Sequence, residues 1–256
     1  MNERAIKLID GSANTDLVNE ICTFKGLERA WAKTVVSTFS DGECQIHIKE
    51  NMRGCDVFVI QSGCSPVNDN LMKLLLILDA LKRSDCWRVT AVIPYYPYAR
   101  QDKKLQPRVP ISARAVADLI QRMGVNRILT MDLHSNQIQG YFDCPVDHLF
   151  ASSIFLEHMR ENLEENTVMV SPDVGGVTRT VHFSKKLKTD VAIIHKTRSA
   201  ANKVGNMVLL GSVRDCTAII IDDMADSTGT LCKAAEVLKD AGAKKIMAYV
   251  SHGVFS

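Results

Sequence analysis

The sequence predicts an α/β protein with mostly parallel sheets flanked by helices, and three observations support that class. Apolar runs of strand length alternate with segments whose apolar residues recur at helical spacing along all 256 residues. The run Ala218–Ile221 is apolar throughout, as expected of a strand buried on both faces of a parallel sheet. Charged or glycine-containing motifs follow several of these runs, at the strand ends where open α/β sheets bind ligands. We therefore expect the functional residues on loops after strands.

Hydrophobic patterning predicts the elements in order. Strands are expected at residues 5–10, 56–61, 88–94, 127–132, 167–171, 191–195, 207–210, 218–221 and 246–251. Within 34–50, β-rich segments flank residues 40–43, which predicts a hairpin turn there. Helices are expected at 17–24, 67–82, 111–123 and 150–163, with a last one ending near Gly242. The helix at 67–82 is apolar nearly all round, which predicts burial against a sheet or a partner. The boundary between the halves is expected at 147–151, giving domains 1–147 and 148–256.

Composition excludes several classes of function. With 46% hydrophobic and 23% charged residues the chain resembles an ordinary soluble globular protein, and a net charge of +2 disfavours nucleic acid as a partner. No uncharged apolar stretch is long enough to cross a membrane, and the first residues lack a signal-peptide core. Eight scattered cysteines without a CxxC pair indicate free thiols in a reducing compartment, hence a cytoplasmic location.

The segment Thr217–Thr230, TAIIIDDMADSTGT, carries the most specific chemistry. An apolar strand leads into two carboxylates, Asp222 and Asp223, and then into a small hydroxylated loop before a helix. Backbone N–H groups at a helix start together with hydroxyl groups form a phosphate site, and ionised carboxylates accept hydrogen bonds from sugar hydroxyls. A sugar phosphate satisfies both requirements. The alternative is an ordinary strand-to-helix turn with one aspartate as N-cap.

Other polar segments follow predicted strands or turns. The basic segment after residue 94 contains Arg100, Lys103 and Lys104, and composition alone leaves a phosphate site and a solvated loop equally open. Asp132 and His134 follow another strand, where Mg²⁺ organisation is one interpretation and a structural histidine the other. The loop after residue 171 contains Asp173, Gly175 and Gly176. One interpretation is a loop that faces a phosphate, and the other is a glycine-rich turn. Lys196 and Arg198 are two cations close together, and such a pair could stabilise the negative charge that develops on a phosphoryl group during its transfer.

Taken together, these motifs resemble the ribose-phosphate pyrophosphokinase family across essentially the whole chain. The motifs that carry the resemblance are FSDGE at 39–43, PYARQDKK at 97–104, MDLHSNQIQG at 131–140, SPDVGGVTR at 171–179 and IDDMADSTGT at 221–230. The resemblance implies two tandem phosphoribosyltransferase-like domains. It also implies the transfer of a diphosphoryl group from Mg–ATP to ribose 5-phosphate, with AMP as the other product.

The resemblance also implies roles for individual residues. ATP binding is expected from Phe39, Asp41, Glu43, Arg100, Gln101, Asp102 and Lys103. Ribose 5-phosphate binding is expected from Asp222, Asp223, Asp226, Ser227, Thr228, Gly229 and Thr230. Catalytic roles are expected for Lys196, Arg198 and His134. Mg²⁺ ligands are expected among His134, Asp173, Asp132, Asp143 and Asp147. In the family the 39–43 hairpin reaches a neighbouring subunit's active site, and the assembly is a homo-oligomer, a hexamer built from dimers.

Two other functions remain open at this level. A salvage phosphoribosyltransferase shares the ribose-phosphate loop, although it does not need the 39–43 and 100–104 segments for ATP. A non-catalytic associated or regulatory subunit is the second alternative, although the residues that such subunits lose are present. Family members continue past Ser256, so we also expect the second domain to be incomplete at its C-terminal end.

Overall fold

The computed structural model describes residues 4–196, 207–227 and 229–256. The chain divides into two compact units, Met1–Leu149 and Phe150–Ser256, and each contains one five-stranded sheet. Both units are α/β, as the alternation of strand and helix patterns predicts. No described helix is long and apolar enough to span a membrane.

The sheet of the first unit is parallel throughout, in the order β1-β4-β5-β6-β7. Its strands are β1 Ile6–Asp10, β4 Asp56–Ile60, β5 Arg88–Ile93, β6 Arg127–Met131 and β7 Val146–Leu149. Its helices are α1 Thr15–Ile21, α2 Val67–Arg83 and α3 Ser112–Arg122, and a 3-10 helix spans Asn136–Tyr141. The connections return every strand in the same direction, so the carboxyl ends of the strands share one edge.

Burial in this unit follows the alternation of side chains along the strands. One face of the sheet contributes Val57, Val59 and Ala91 to the main core, against the buried side of α2 and α3. The other face meets α1 in a smaller cluster that includes Leu8 and Val18. Helix α2 packs against this sheet, as its apolar sequence predicts.

On the other side of α2, Met72 is 48% exposed and Leu76 is 37% exposed, because the sheet covers only one side of the helix.

A separate two-stranded hairpin projects from the first unit. Strands β2 Thr34–Thr38 and β3 Cys44–Ile48 pair antiparallel around the predicted turn at residues 40–43. Gly42 takes a φ of +97°, a left-handed conformation that side chains rarely adopt, and donates its N–H to the carbonyl of Phe39. Ile46 and Ile48 pack against the main core, so one face of the hairpin is anchored.

The second unit has the sheet order β10-β9-β8-β11-β12. Its strands are β8 Thr167–Ser171, β9 Asp190–Lys196, β10 Met207–Leu210, β11 Thr217–Ala225 and β12 Lys245–Gly253. Its helices are α4 Ser152–Glu161, α5 Val177–Leu187 and α6 Gly229–Asp240. Strand β10 is antiparallel to β9, and the other pairs are parallel.

Two clusters enclose this sheet. Val168, Ala218 and Ile220 pack with α6 on one face, and Met169, Ile219 and Ile221 pack with α4 and α5 on the other. Because side chains alternate along β11, Asp223 continues the face that Ile219 and Ile221 turn toward α5. This alternation positions the polar end of β11 beside the start of α5.

Some elements near the candidate site differ from the sequence predictions. Strand β11 continues to Ala225, not Ile221, because its pairing with β12 continues until Ala225 lies opposite Gly253. Helix α5 and strand β7 were not predicted, since glycines precede the helix and the strand has only four residues.

Candidate active site

Asp222 and Asp223 lie within β11, not on the loop that the sequence indicates. Asp222 stands opposite Val250 of β12, and the backbone N–H of Asp223 donates to Oδ1 of Asp222 at 2.9 Å. The side chain of Asp223 is only 5% exposed, and that of Asp222 is 22% exposed. A strand therefore fixes the backbone of both acids, and their carboxylates stand close together with little water.

Arg179, in the first turn of α5, supplies the positive charge for this pair. Its Nη1 donates to Oδ1 of Asp223 at 3.1 Å and to Oδ1 of Asp222 at 3.4 Å. Burial, followed by the neighbouring Asp223, raises the pKa of Asp222 to about 7, and Arg179 opposes this rise. The pKa rises because two desolvated carboxylates side by side resist full ionisation.

The predicted phosphate loop follows β11 directly and ends at the start of α6. Ser227, Gly229 and Thr230 are exposed, and a Cβ on Gly229 would meet no atom closer than 4.0 Å. Thr228 lies outside the described residues. Asp226 accepts a hydrogen bond from the hydroxyl of Ser256, so its carboxylate turns toward the end of the chain. The start of α6, a few residues after the acid pair, is thus exposed, as a phosphate site requires.

The loop that contains Asp173 is held in a tight turn between β8 and α5. Oδ1 of Asp173 accepts from the N–H of Gly176 at 2.9 Å, and its carbonyl accepts from Oγ of Ser171 at 2.6 Å. A Cβ on Gly176 would lie 2.9 Å from that same Oγ. Ser171 therefore leaves no room for a side chain at Gly176. This glycine lies three residues before Arg179.

The two predicted catalytic cations, Lys196 and Arg198, lie at the edge of the described residues and beyond it. Lys196 is the final residue of β9, and its backbone pairs with Met207 of β10. Arg198 lies outside the described residues. Both remain predictions.

The hairpin tip displays the residues predicted to bind adenine. Phe39 is 49% exposed, and Asp41 and Glu43 are exposed beside it. Oδ1 of Asp41 accepts from the N–H of Glu43 at 3.0 Å, and the N–H of Phe39 donates to the carbonyl of Glu43 at 2.8 Å. The turn is thus ordered by its own hydrogen bonds, while an aromatic ring faces solvent.

The second predicted ATP segment is anchored to α3. The Gln101 side chain accepts from Oγ of Ser112, and its carbonyl accepts from the N–H of Ala113 at 3.2 Å. The carbonyl of Asp102 accepts from the Tyr141 hydroxyl. Arg100 and Lys103 are exposed. The structure thus fixes the backbone of this segment and presents its cations at the carboxyl edge of the first sheet.

The predicted metal ligands of the first unit do not form one cluster. Asp147 lies within β7, and both of its carboxylate oxygens accept from Nη1 of Arg127 at 2.8 and 2.6 Å. Asp132 and His134 follow β6, and the N–H of Asp143 donates to Gln121. Across the part of the chain that the structure describes, no three His, Cys, Asp or Glu side chains are grouped to hold a metal ion.

Arg179 is the residue that sequence reasoning left out of the site. It occupies the last position of the SPDVGGVTR motif, so the motif contained the signal. Its role could not be read from the sequence because 43 residues separate it from Asp222 along the chain. Only the pairing of β8 with β11 brings the start of α5 beside the acid pair.

Both units are similar to known protein families. Residues 6–124 match the family model described as the N-terminal domain of ribose phosphate pyrophosphokinase, and residues 150–254 match the phosphoribosyl transferase domain. A ribose-phosphate pyrophosphokinase of Clostridium perfringens is 50% identical over 258 residues, covering 100% of this chain and 80% of that protein. The Helicobacter hepaticus protein of the same name is 47% identical over 253 residues, covering 99% and 81%.

A solved structure agrees with these relatives. The phosphoribosylpyrophosphate synthetase of Mycobacterium smegmatis is 41% identical, with a TM-score of 0.93 over 99% of this chain and 83% of that one. The predicted fold of two phosphoribosyltransferase-type domains is thereby confirmed, and the names of these relatives do not favour the non-catalytic alternative. The chain belongs to the ribose-phosphate pyrophosphokinase family.

Proposed function

We propose that this chain transfers the diphosphoryl group of ATP to the anomeric hydroxyl of ribose 5-phosphate, giving 5-phosphoribosyl 1-pyrophosphate and AMP. The observation that carries the proposal is the acid pair on β11, bonded to Arg179, with the exposed start of α6 a few residues later in the chain. Family membership supports the same reaction. A sugar phosphate needs these two adjacent features, hydroxyl acceptors and an anion site.

The sugar would bind with its two ring hydroxyls on Asp222 and Asp223. Ionised carboxylates only accept hydrogen bonds, so they favour a diol over a second phosphate. The 5-phosphate would lie on the loop of Asp226, Ser227, Thr228, Gly229 and Thr230, where backbone N–H groups and hydroxyls donate. The acids on β11 and the phosphate site on the loop that follows this strand would together set the direction of the sugar.

The nucleotide would use the exposed residues of the first unit. We assign the adenine to the hairpin tip with Phe39, Asp41 and Glu43, because an exposed aromatic ring offers a stacking face. The phosphates would meet Arg100 and Lys103, with Gln101 and Asp102 holding that segment in place. These assignments rest on exposure, charge and family resemblance.

The reaction is an in-line displacement at the β-phosphorus of ATP. A bond forms between the anomeric oxygen and that phosphorus, the bond to the α,β-bridging oxygen breaks, and AMP leaves with the electron pair. The hydroxyl proton is released to water or a nearby base. Lys196 and Arg198 would lie against the oxygens on which charge grows.

Mg²⁺ is the metal we propose, and the family resemblance supplies its candidate ligands. Asp173 offers the carboxylate oxygen that Mg²⁺ prefers, and His134, with Asp132 and Asp143, offers further candidates after β6. Asp147 is the weakest candidate, since Arg127 occupies both of its oxygens. When bound, Mg²⁺ would offset phosphate charge.

Phosphorus NMR of the product tests the reaction. The transferred group should appear as two coupled phosphorus signals, one of them split by the anomeric proton, together with AMP. A single new phosphate signal with ADP would indicate a one-phosphoryl kinase and overturn the proposal. Incubation with 5-phosphoribosyl 1-pyrophosphate and free purine bases, which should yield no nucleotide, tests the salvage alternative.

We also propose that the protein is a cytoplasmic homo-oligomer, a hexamer built from dimers. Family resemblance supports the assembly, and the hairpin supports it physically because its aromatic tip extends away from its own core. Light scattering coupled to size-exclusion chromatography measures the mass directly. A monomer that retains full activity would contradict a shared site.

A further inference from the structure

Arg179 connects two parts of the second unit that the proposed reaction uses separately. It lies three residues after Gly176, at the end of the Asp173 loop, and its guanidinium reaches the two acids of β11. Its side chain is 27% exposed, whereas that of Asp223 is 5% exposed. One nitrogen, Nη1, serves both carboxylates, so the contact is with the pair and not with either acid alone.

The acid pair lies on a strand between β8 and β12. Strand β8 has no titratable side chain across Thr167–Ser171, and β12 has Val250 opposite Asp222. The nearest titratable group in register on β12 is His252, opposite Met224. Burial raises the pKa of Asp222, the side chain of Asp223 raises it further, and the charge of Arg179 lowers it.

We propose that Arg179 is a positioning residue for sugar binding, whose guanidinium holds the carboxylates of Asp222 and Asp223 in one orientation as hydroxyl acceptors. This inference rests on the proposed function, since it takes the two acids as ligands of the sugar diol. Arg179 itself need not touch the substrate. Its fixed fork and permanent charge suit the task better than a lysine, whose single ammonium rotates freely.

Loss of the guanidinium has a definite chemical consequence. Without it, two desolvated carboxylates repel each other and bind a proton more readily. A protonated carboxyl group also donates, so the pair loses acceptor capacity for the diol at neutral pH. Raising the pH should restore ionisation and part of the sugar affinity. A residue that only supports the fold would show no such recovery.

The test compares Arg179→Gln and Arg179→Lys with a matched control, Lys245→Gln. Lys245 pairs with Glu164 in the same unit, at the opposite end of β12 from His252, and its loss removes one cation without touching the acids. The Michaelis constants for ribose 5-phosphate and ATP are measured from pH 6.5 to 9. Ribose 5-phosphate binding is measured separately by calorimetry.

We expect Arg179→Gln to raise the Michaelis constant for ribose 5-phosphate about tenfold or more at pH 7, and that for ATP less than twofold. The increase should shrink at pH 9, Arg179→Lys should fall between Gln and wild type, and the control should match wild type. An unchanged constant for ribose 5-phosphate, or a loss equal at every pH and in both variants, overturns the inference. If Arg179→Gln does not fold, the pH profile of Arg179→Lys decides.

The two proposals fail in different ways. A wild-type chain that binds no ribose 5-phosphate overturns the proposed function and this inference together. A wild-type chain that forms AMP normally, with an Arg179→Gln variant that binds the sugar normally, overturns only the role of Arg179.

Discussion

Asp222→Asn replaces a largely buried carboxyl group with a neutral amide of the same shape, and it should change how stability depends on pH. Burial and Asp223 raise the pKa of Asp222 from 3.8 to about 7. The folded protein therefore holds this proton more tightly than the unfolded chain. The stabilising contribution is complete below the unfolded pKa and is lost as pH rises through the folded pKa.

The magnitude follows from the two pKa values. A pKa raised from 3.8 to about 7 corresponds to about 4 kcal/mol of unfolding free energy, present at pH 4 and lost by pH 8. The amide avoids the charge but loses the attraction to Arg179. We therefore expect Asp222→Asn to be more stable than wild type by about 2 kcal/mol at pH 8 and nearly equal to it at pH 5.

Urea denaturation of the ligand-free protein between pH 5 and 9 measures this difference. Glu236→Gln, which removes an exposed carboxylate from α6, is the matched control and should follow the wild-type curve at every pH. An Asp222→Asn variant that loses stability equally at pH 5 and pH 8 would refute the reasoning. It would mean that the carboxylate is fully stabilised by its partners.

Three further substitutions test other parts of the structure. Tyr96→Phe removes a buried hydroxyl that donates to the carbonyl of Ala113 at 2.9 Å, and urea denaturation should show a loss of about 1 kcal/mol. Gly63→Ala would place a Cβ 2.5 Å from Cδ of Pro97, and the same assay should show a loss of about 2 kcal/mol. Phe39→Ala should raise the Michaelis constant for ATP about tenfold and leave the melting temperature unchanged, because this ring is 49% exposed.

Each of the three has a control in the same chain. Tyr98→Phe removes an exposed hydroxyl bonded to Asn68 and should cost less than Tyr96→Phe. Gly140→Ala adds a Cβ with nothing within 4 Å and should leave stability nearly unchanged. Equal losses within either pair would show that burial or crowding does not set the cost. A lower melting temperature for Phe39→Ala would show that the tip stabilises the fold.

The sequence was a reliable guide where a local pattern determines the outcome. The unbroken apolar run Ala218–Ile221 identified a central strand, and Gly42 between two β-rich segments identified the hairpin. The end of β11 could not be predicted locally. Pairing with β12, 20 or more residues later, carries the strand through Asp222 and Asp223 to Ala225.

The candidate site shows the same division between local and long-range information. The motifs identified the acid pair and the loop, but the role of Arg179 depends on which helix start the sheet order brings beside β11. Asp147 illustrates the opposite case. The family resemblance predicts that it is a metal ligand, whereas the pairing of β6 with β7 places its carboxylate against Arg127.

The most direct test of the central claim is AMP formation from ATP by this chain with and without ribose 5-phosphate, in the presence of Mg²⁺ and phosphate. Lys196→Ala serves as the comparison, because loss of a transition-state cation should lower turnover far more than the apparent affinity for ATP. We predict AMP release that depends on the sugar and equals the 5-phosphoribosyl 1-pyrophosphate formed. A folded chain that releases no AMP, or releases it equally without the sugar, would contradict the account.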